Sequence, residues 1–248
     1  MEYVLDRAPA SAAPAPAAAR ARPAPATRPR RHDLYALIHK ALRLAMAEAM
    51  TRVGRLDTDE DGDVRAAAVA VRELIELCRM HLEKEEQFVH PALEAAIPGS
   101  AGRTARDHDD HLRAFDRLEA GVRAIERSTG ERAAQAAHRL YRDLALFTAE
   151  NLVHMHGEEV DNNAILWATL SDDEIVAIER RLVASIAPEK MGTVLRWMAP
   201  AMTPSERATF FSTLRAKLPP PAFAAVMSDV IALLDPAAKR KLLQALGA

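Results

Sequence analysis

Apolar residues recur at steps of three and four along most of this chain, and four such seams follow one another before residue 170. The first passes through Tyr35, His39, Leu42, Met46 and Val53. The second runs through Val71, Leu74, Ile75, Cys78, His81, Leu82, Glu85, Phe88 and Val89. The third holds His108, His111, Leu112, Phe115, Leu118, Val122 and Ile125, and the fourth Leu140, Leu144, Phe147, Asn151, His154, Met155, Glu158 and Ile165. The spacing predicts four long helices over 32–53, 64–96, 101–128 and 131–170, joined by short connections as in an antiparallel up-down bundle. Pro98 and Gly99 stop the second helix and Gly130 ends the third, while Pro91 should kink the second or open a new short turn.

Beyond residue 170 the pattern changes to shorter segments with sharp starts. Ser171 with Glu174, and Thr203 with Glu206, fit the capping box, in which a hydroxyl and a later carboxylate satisfy first-turn amides. Prolines 188, 219 to 221 and 236 punctuate the rest, giving expected helices at 172–186, 189–199, 204–217, 221–234 and 236–246. The fold class is therefore all-α: a four-helix bundle over 32–170 and a helical extension over 171–248. None of the extension's helices carries a histidine, and its Trp197, Met198, Met202, Phe210, Phe211 and Phe223 read as core or as a surface for a homodimer or another protein.

Composition narrows the picture further. Residues 1–31 alternate Ala and Pro with Arg and have no apolar period, so they read as a disordered tail. No apolar h-region of a secretory signal and no membrane-length apolar run occurs. A formal net charge of −2 gives no electrostatic reason to expect nucleic acid, and the single cysteine, Cys78, fits a reducing, cytoplasmic setting. On its seam Cys78 reads as a small core hydrophobe.

The polar interruptions of the seams carry the chemistry. His39, His81, Glu85, His108, His111, His154 and Glu158 all point inward. His81 with Glu85, and His154 with Glu158, are His-x-x-x-Glu pairs, which stack two side chains on one helix face. His156 sits about 200° round the helix from its seam at roughly 100° per residue, so His154 is the preferred ligand. A carboxylate buried among apolar side chains is costly unless something compensates it, and a metal ion does so. Mixed imidazole and carboxylate ligands suit iron, zinc, nickel or copper, whereas calcium and magnesium prefer oxygen alone. His90, beside Pro91, reads as a surface or outer residue and His138 as exposed.

The segments IHKALR at 38–43, HLEKEEQFVHPALE at 81–94, DHDDH at 107–111 and NLVHMHGEE at 151–159 resemble, in order, the four helical signatures of the hemerythrin-like (HHE cation-binding) family, over about 32–168. The resemblance implies two non-haem iron ions with oxo or hydroxo and carboxylate bridges. Glu85 and Glu158 would bridge, with His39, His81, His108, His111 and His154 as terminal ligands. The chain departs from the best-known members twice. His156 and Asp161 fit their longer last spacing, and His108 and His111 are three apart where those members have four.

Three kinds of function are compatible with these residues. One is a di-iron module that binds or senses O₂, nitric oxide or iron. Another is a di-iron enzyme acting on peroxide or O₂ as a catalase, peroxidase or oxidase, and the last a metal-free helical scaffold. Tyr35, one turn before His39, could donate a proton to a bound ligand, orient it, or simply pack.

Overall fold

A computed structural model describes residues 31–247. The disordered-tail expectation for 1–31 falls, apart from Arg31, outside the described residues. Those described form an all-α structure with no strand among them. Helices α1 (Ala36–Gly54), α2 (Asp61–Lys84), α4 (Gly102–Glu126) and α5 (Gly130–Gly157) pack in the cyclic order α1, α2, α4, α5, each beside its sequence neighbour, as an up-down bundle.

Two of the four rods are longer than those ranges. After α2 comes a π turn, Glu85–Val89, and then α3 (His90–Ala96); after α5 comes a second π turn, Glu158–Asn162, and then α6 (Asn163–Thr169). Pro91 lacks an amide and would crowd the carbonyl four residues back, so it stands in the first turn of a new short helix, α3, as one of the two expected outcomes, with the wider turn before it. The second rod has the same turn and no proline. What the two turns share is that each begins at a buried glutamate, Glu85 or Glu158. In each rod the π turn ends in an α-helix that returns an apolar residue, Leu93 or Leu166, to the interior.

The bundle interior has two apolar layers. The larger holds Leu42, Met46, Leu74, Leu77, Phe115, Leu118, Leu140 and Phe147 among others, and Cys78 lies buried within it. The smaller, at the end where the π turns lie, holds Tyr35, Val89, Leu93, Leu166, Ile175 and Ile178. The chain entering α1 straps this end. Arg31 donates to the carbonyls of Trp167 and Leu170 and pairs with Asp172, so it caps the orphan carbonyls of α6.

The remaining helices, α7 (Asp172–Ala184), α8 (Pro188–Ala201), α9 (Pro204–Lys217), α10 (Pro220–Leu233) and α11 (Pro236–Leu246), follow the spacing read from the prolines and hydroxyl caps. Both capping boxes form. Helix α8 covers the outer side of α1, and Trp197 packs against the larger core layer. The last helices share a third apolar cluster around Phe211, Met227, Val230 and Leu242. No described helix is long and apolar enough to cross a membrane.

Glu206 joins the two parts. It closes the α9 capping box on Thr203 and accepts two bonds of 2.7 Å from the Lys40 ammonium of α1. The Lys40 contact holds its carboxyl at about 2, below the ordinary 4.5. The unfolded chain therefore binds this proton first, and the stabilisation is full above about 4.5 and is lost as pH falls towards 2. E206Q should cost roughly 1 kcal/mol at neutral pH. Urea titrations of both proteins should also show the wild type losing its advantage over E206Q on acidification; a constant difference from neutrality to pH 2 would contradict the assignment.

Candidate metal centre

Between the two apolar layers lies one polar layer. His39 and Glu158 are 0 % exposed, His108 0 %, Glu85 2 % and His154 5 %. Each comes from a different place in the bundle: His39 from α1, His81 and Glu85 from the first rod, His108 from α4, His154 and Glu158 from the second. Their ligand atoms form two groupings, His39, His81, Glu85 and Glu158, and Glu85, His108, His154 and Glu158, each within 4.8 Å throughout. Both glutamates belong to both groupings.

The distances are those of converging ligands. His81 Nε2 is 3.1 Å and His108 Nε2 3.4 Å from the Glu85 carboxylate; His39 Nε2 is 3.4 Å and His154 Nε2 3.3 Å from that of Glu158. Donors at adjacent corners around an ion with bonds of about 2.1 Å would stand roughly 3 Å apart. The Nε2 atoms of His39, His81 and His108 and all four carboxylate oxygens of Glu85 and Glu158 are buried without a hydrogen-bond partner of acceptable geometry. Buried polar atoms are almost always satisfied, so seven orphans facing one another mark a place built for something that accepts from all of them at once, a cation.

The electrostatics agree. Burial pushes the carboxyl of Glu85 up to about 7, and burial followed by the charge of Glu85 pushes that of Glu158 up to about 8. Burial, then neighbouring imidazoles, holds His81 well below its ordinary value and takes His154 down to about 2. For His39 burial acts downward, but the adjoining carboxylates of Glu158 and Glu159 outweigh it and raise the group to about 9. Burial drives carboxyls and most imidazoles alike towards neutrality, and a divalent cation removes that pressure on the carboxylates.

A second ring of carboxylates holds the far side of the imidazoles. His39 Nδ1 bonds Glu159 at 3.0 Å, His108 Nδ1 bonds Glu86 at 3.1 Å, and His154 Nδ1 bonds Asp107 at 3.2 Å. Such bonds fix the tautomer with Nε2 free to ligate and strengthen the imidazole as a donor. Glu159 is itself clamped by Arg43 at 2.6 and 3.0 Å, and the bonds from His39 and Arg43 overcome burial to hold it near 2. Sequence reasoning missed Glu86, Glu159 and Asp107. A signal existed: both rods read His-x-x-x-Glu-Glu, and the second glutamate of each reaches the histidine of a neighbouring helix.

Of the seven expected ligands, six lie in the two groupings and His111 does not. Its ring is 3 % exposed and stands edge-on to His154 at 4.8 Å and to Phe147 at 5.9 Å. The step of three from His108 turns it towards the rings of the second rod. Glu158 faces the layer, whereas Asp161 is 63 % exposed and pairs with Arg103. His156 and His138 are exposed. His90 is not a surface residue: it is 8 % exposed and stacked on His108, ring centres 4.9 Å apart.

The hemerythrin HHE cation binding domain, as a family model, matches residues 32–161, more than half of the chain. The chain belongs to this family. No curated protein matches it. The family's defining property, a cation held by histidine and glutamate, coincides with the polar layer, and the matched residues include all six converging ligands.

The outer carboxylates make an unequal pair of predictions. E159Q should weaken metal binding about 10- to 100-fold, as loss of such a partner typically does. E86Q should cost less, because Glu86 is 50 % exposed and unclamped whereas Glu159 is 25 % exposed and held by Arg43. Titration of the stripped proteins with ferrous iron in competition with a chelator measures both; equal affinity in wild type and E159Q would remove the positioning role.

Proposed function

We propose that this polar layer holds two non-haem iron ions and that the protein binds or senses a small ligand there: O₂, nitric oxide or iron itself. The observation that carries the reading is the convergence of seven orphaned donor atoms between two apolar layers. His39 and His81 would hold one ion and His108 and His154 the other, with Glu85 and Glu158 spanning both, as their membership of both groupings suggests. His111 stands next to the second group as a further imidazole. Two irons held by these residues would supply redox chemistry suited to a diatomic molecule or peroxide.

The chain's own residues set the conditions. Glu85 and Glu158 bring two negative charges to a place where water cannot screen them, which favours a compact pair of cations over one. The outer carboxylates keep each Nε2 aimed inward. The flanking apolar layers bury the ligand atoms away from bulk water. Iron and not calcium fits a set of four imidazoles and two carboxylates.

A second reading, a di-iron enzyme acting on peroxide or O₂, draws on Tyr35. Its ring is 1 % exposed, 5.2 Å from that of His39, and its hydroxyl meets the side-chain amide of Asn162 at 3.3 Å. Burial and then the charges of Glu158 and Glu85 hold the phenol well above its ordinary value, so it stays protonated beside the site and can orient or protonate a bound oxygen species.

Iron analysis of protein from iron-supplemented cells, with a near-ultraviolet spectrum in air, is the decisive experiment. About two irons per chain are expected, since paired carboxylates in bundles hold two metals. The double variant H81A/E85A should lose dinuclear loading while H138A retains it. Retention of both irons in the double variant would overturn the ligand assignment, and absence of bound metal in the wild type would leave a scaffold. Peroxide consumption by loaded wild type, reduced in Y35F, would select the enzyme over the binder.

A further inference from the structure

The four rods of the bundle differ in what they turn outward. Helix α1 is covered by α8. The outer faces of α2 and α4 carry charge, with Arg72, Glu73 and Glu76 on one and Arg106, Asp109 and Arg113 on the other. The second half of α5 and its π turn instead expose Leu146 at 55 %, Val153 at 74 % and Val160 at 51 %, with Ala149 and Ala164 exposed between and beyond them. Steps of seven put these three residues on one outward line along the rod, opposite the seam of His154 and Glu158.

We propose that this face pairs with the same face of a second copy of the chain, the two rods crossing antiparallel with Val153 on the two-fold axis. The pattern about Val153 is self-complementary. Under such an axis the residue k places before Val153 faces the residue k places after it in the other copy. Leu146 then meets Val160 of the second copy, and Val153 meets its own equivalent. Ala149, four places before the axis, lies against Gly157 of the second copy, small against small.

Charge selects the second copy over an unrelated apolar partner. On the flank next to α4, Glu150 is exposed three residues before the axis. On the same flank, four residues after it, the Arg103 guanidinium lies over Gly157, in space that a Cβ there would fill, and is 53 % exposed in a loose 3.4 Å pair with Asp161. In the antiparallel arrangement Arg103 of each copy, lying over Gly157, comes beside Ala149 and Glu150 of the other, so an opposite-charge pair flanks the apolar line on either side of Val153. Gly157 is what allows this: a side chain at that position would lift Arg103 off the rod.

One crossing of two rods covers less than the roughly 1,200 Å² of a stable standard interface, so association should be weak and concentration-dependent. Sedimentation velocity on the full-length chain, from roughly 1 to 500 µM, the range suited to interfaces of this size, should show a monomer–dimer equilibrium. V153D should weaken it at least about tenfold, as charge at the centre of a small apolar interface does, and E150R should weaken it while leaving the circular dichroism spectrum unchanged. Because Val153 is 74 % exposed, neither folding nor the core is at stake. V153C gives an independent reading: Cys78 is buried at 3 %, so the new thiol alone is accessible, and mild oxidation should yield a disulfide-linked dimer. V69C, also accessible on α2 at 54 %, should remain monomeric. A monomer over the whole concentration range, whether because residues 1–30 or another protein covers the face, overturns the proposal, as does cross-linking of V69C as fast as V153C.

Discussion

The constraint on which this structure turns is the burial of two carboxylates between two apolar layers. Glu85 and Glu158 are 2 % and 0 % exposed, and none of their four oxygens has a hydrogen-bond partner. In an ordinary core such a layer would cost several kcal/mol per group, more than most bundles can spare when total stability is about 5–15 kcal/mol. Replacing these residues with leucine would remove the penalty. Their presence, together with three unpartnered Nε2 atoms, is intelligible only if a cation belongs to the folded state, and the family to which the chain belongs is defined by cation binding. Metal loading would then be coupled to the stability of the bundle, because it is the bundle that brings the ligands together.

The layer also explains the irregular backbone. An unbroken α-helix carrying His-x-x-x-Glu on its inner face has no reason to widen, yet both rods widen at the glutamate. The common sequence is a second glutamate next to the first. At Glu85–Val89 and Glu158–Asn162 the π turn separates the two neighbours: the first faces the layer and the second reaches sideways to a histidine on another helix, Glu86 to His108 and Glu159 to His39. Each rod thus supplies one inner carboxylate for its own histidine and one outer carboxylate for its neighbour's. The four helices are tied by this exchange as well as by packing, and α1 is held from outside by Lys40 on Glu206 and Arg43 on Glu159.

Periodicity made the inner layer legible. His154 and His156 differ by two residues, a displacement large enough for the seam alone to separate a buried ring from an exposed one; Glu158 and Asp161 are three apart, close to one helix face, and it is the structure that buries the first and exposes the second. The helical extension was legible from its prolines and hydroxyl caps. What the seam could not show was anything beside it. Glu86, Glu159 and Asp107 lie off the inner stripe and look like members of a solvated face, and indeed they are partly exposed; their role depends on which helix stands next to them. Of the two readings of His90, surface or outer residue, the structure excludes the first: the π turn carries the rod past Pro91 and lays the buried imidazole behind His108. His111 lies on the seam and is buried, but a step of three from a residue already in the layer rotates it past the layer's centre.

The two halves of the layer, nearly equivalent in their ligands, differ in what stands behind them. Beside His39 is a phenol, Tyr35, bonded to Asn162 at the start of α6. The corresponding position one turn before His108 is Thr104, whose hydroxyl is spent on the carbonyl of Ala101. Behind His108 and His154 lie two further imidazoles, His90 and His111, both taken by burial, then by the charge of His108, to about 4 and so uncharged at neutral pH. One half therefore offers a buried phenol and the other two neutral imidazoles, each with one ring N–H. A small ligand held between them would meet a phenol on one side and further imidazoles on the other, so the two sides of the site differ although its inner ligands are nearly symmetric, and the difference follows from Tyr35, His90 and His111 and not from either glutamate.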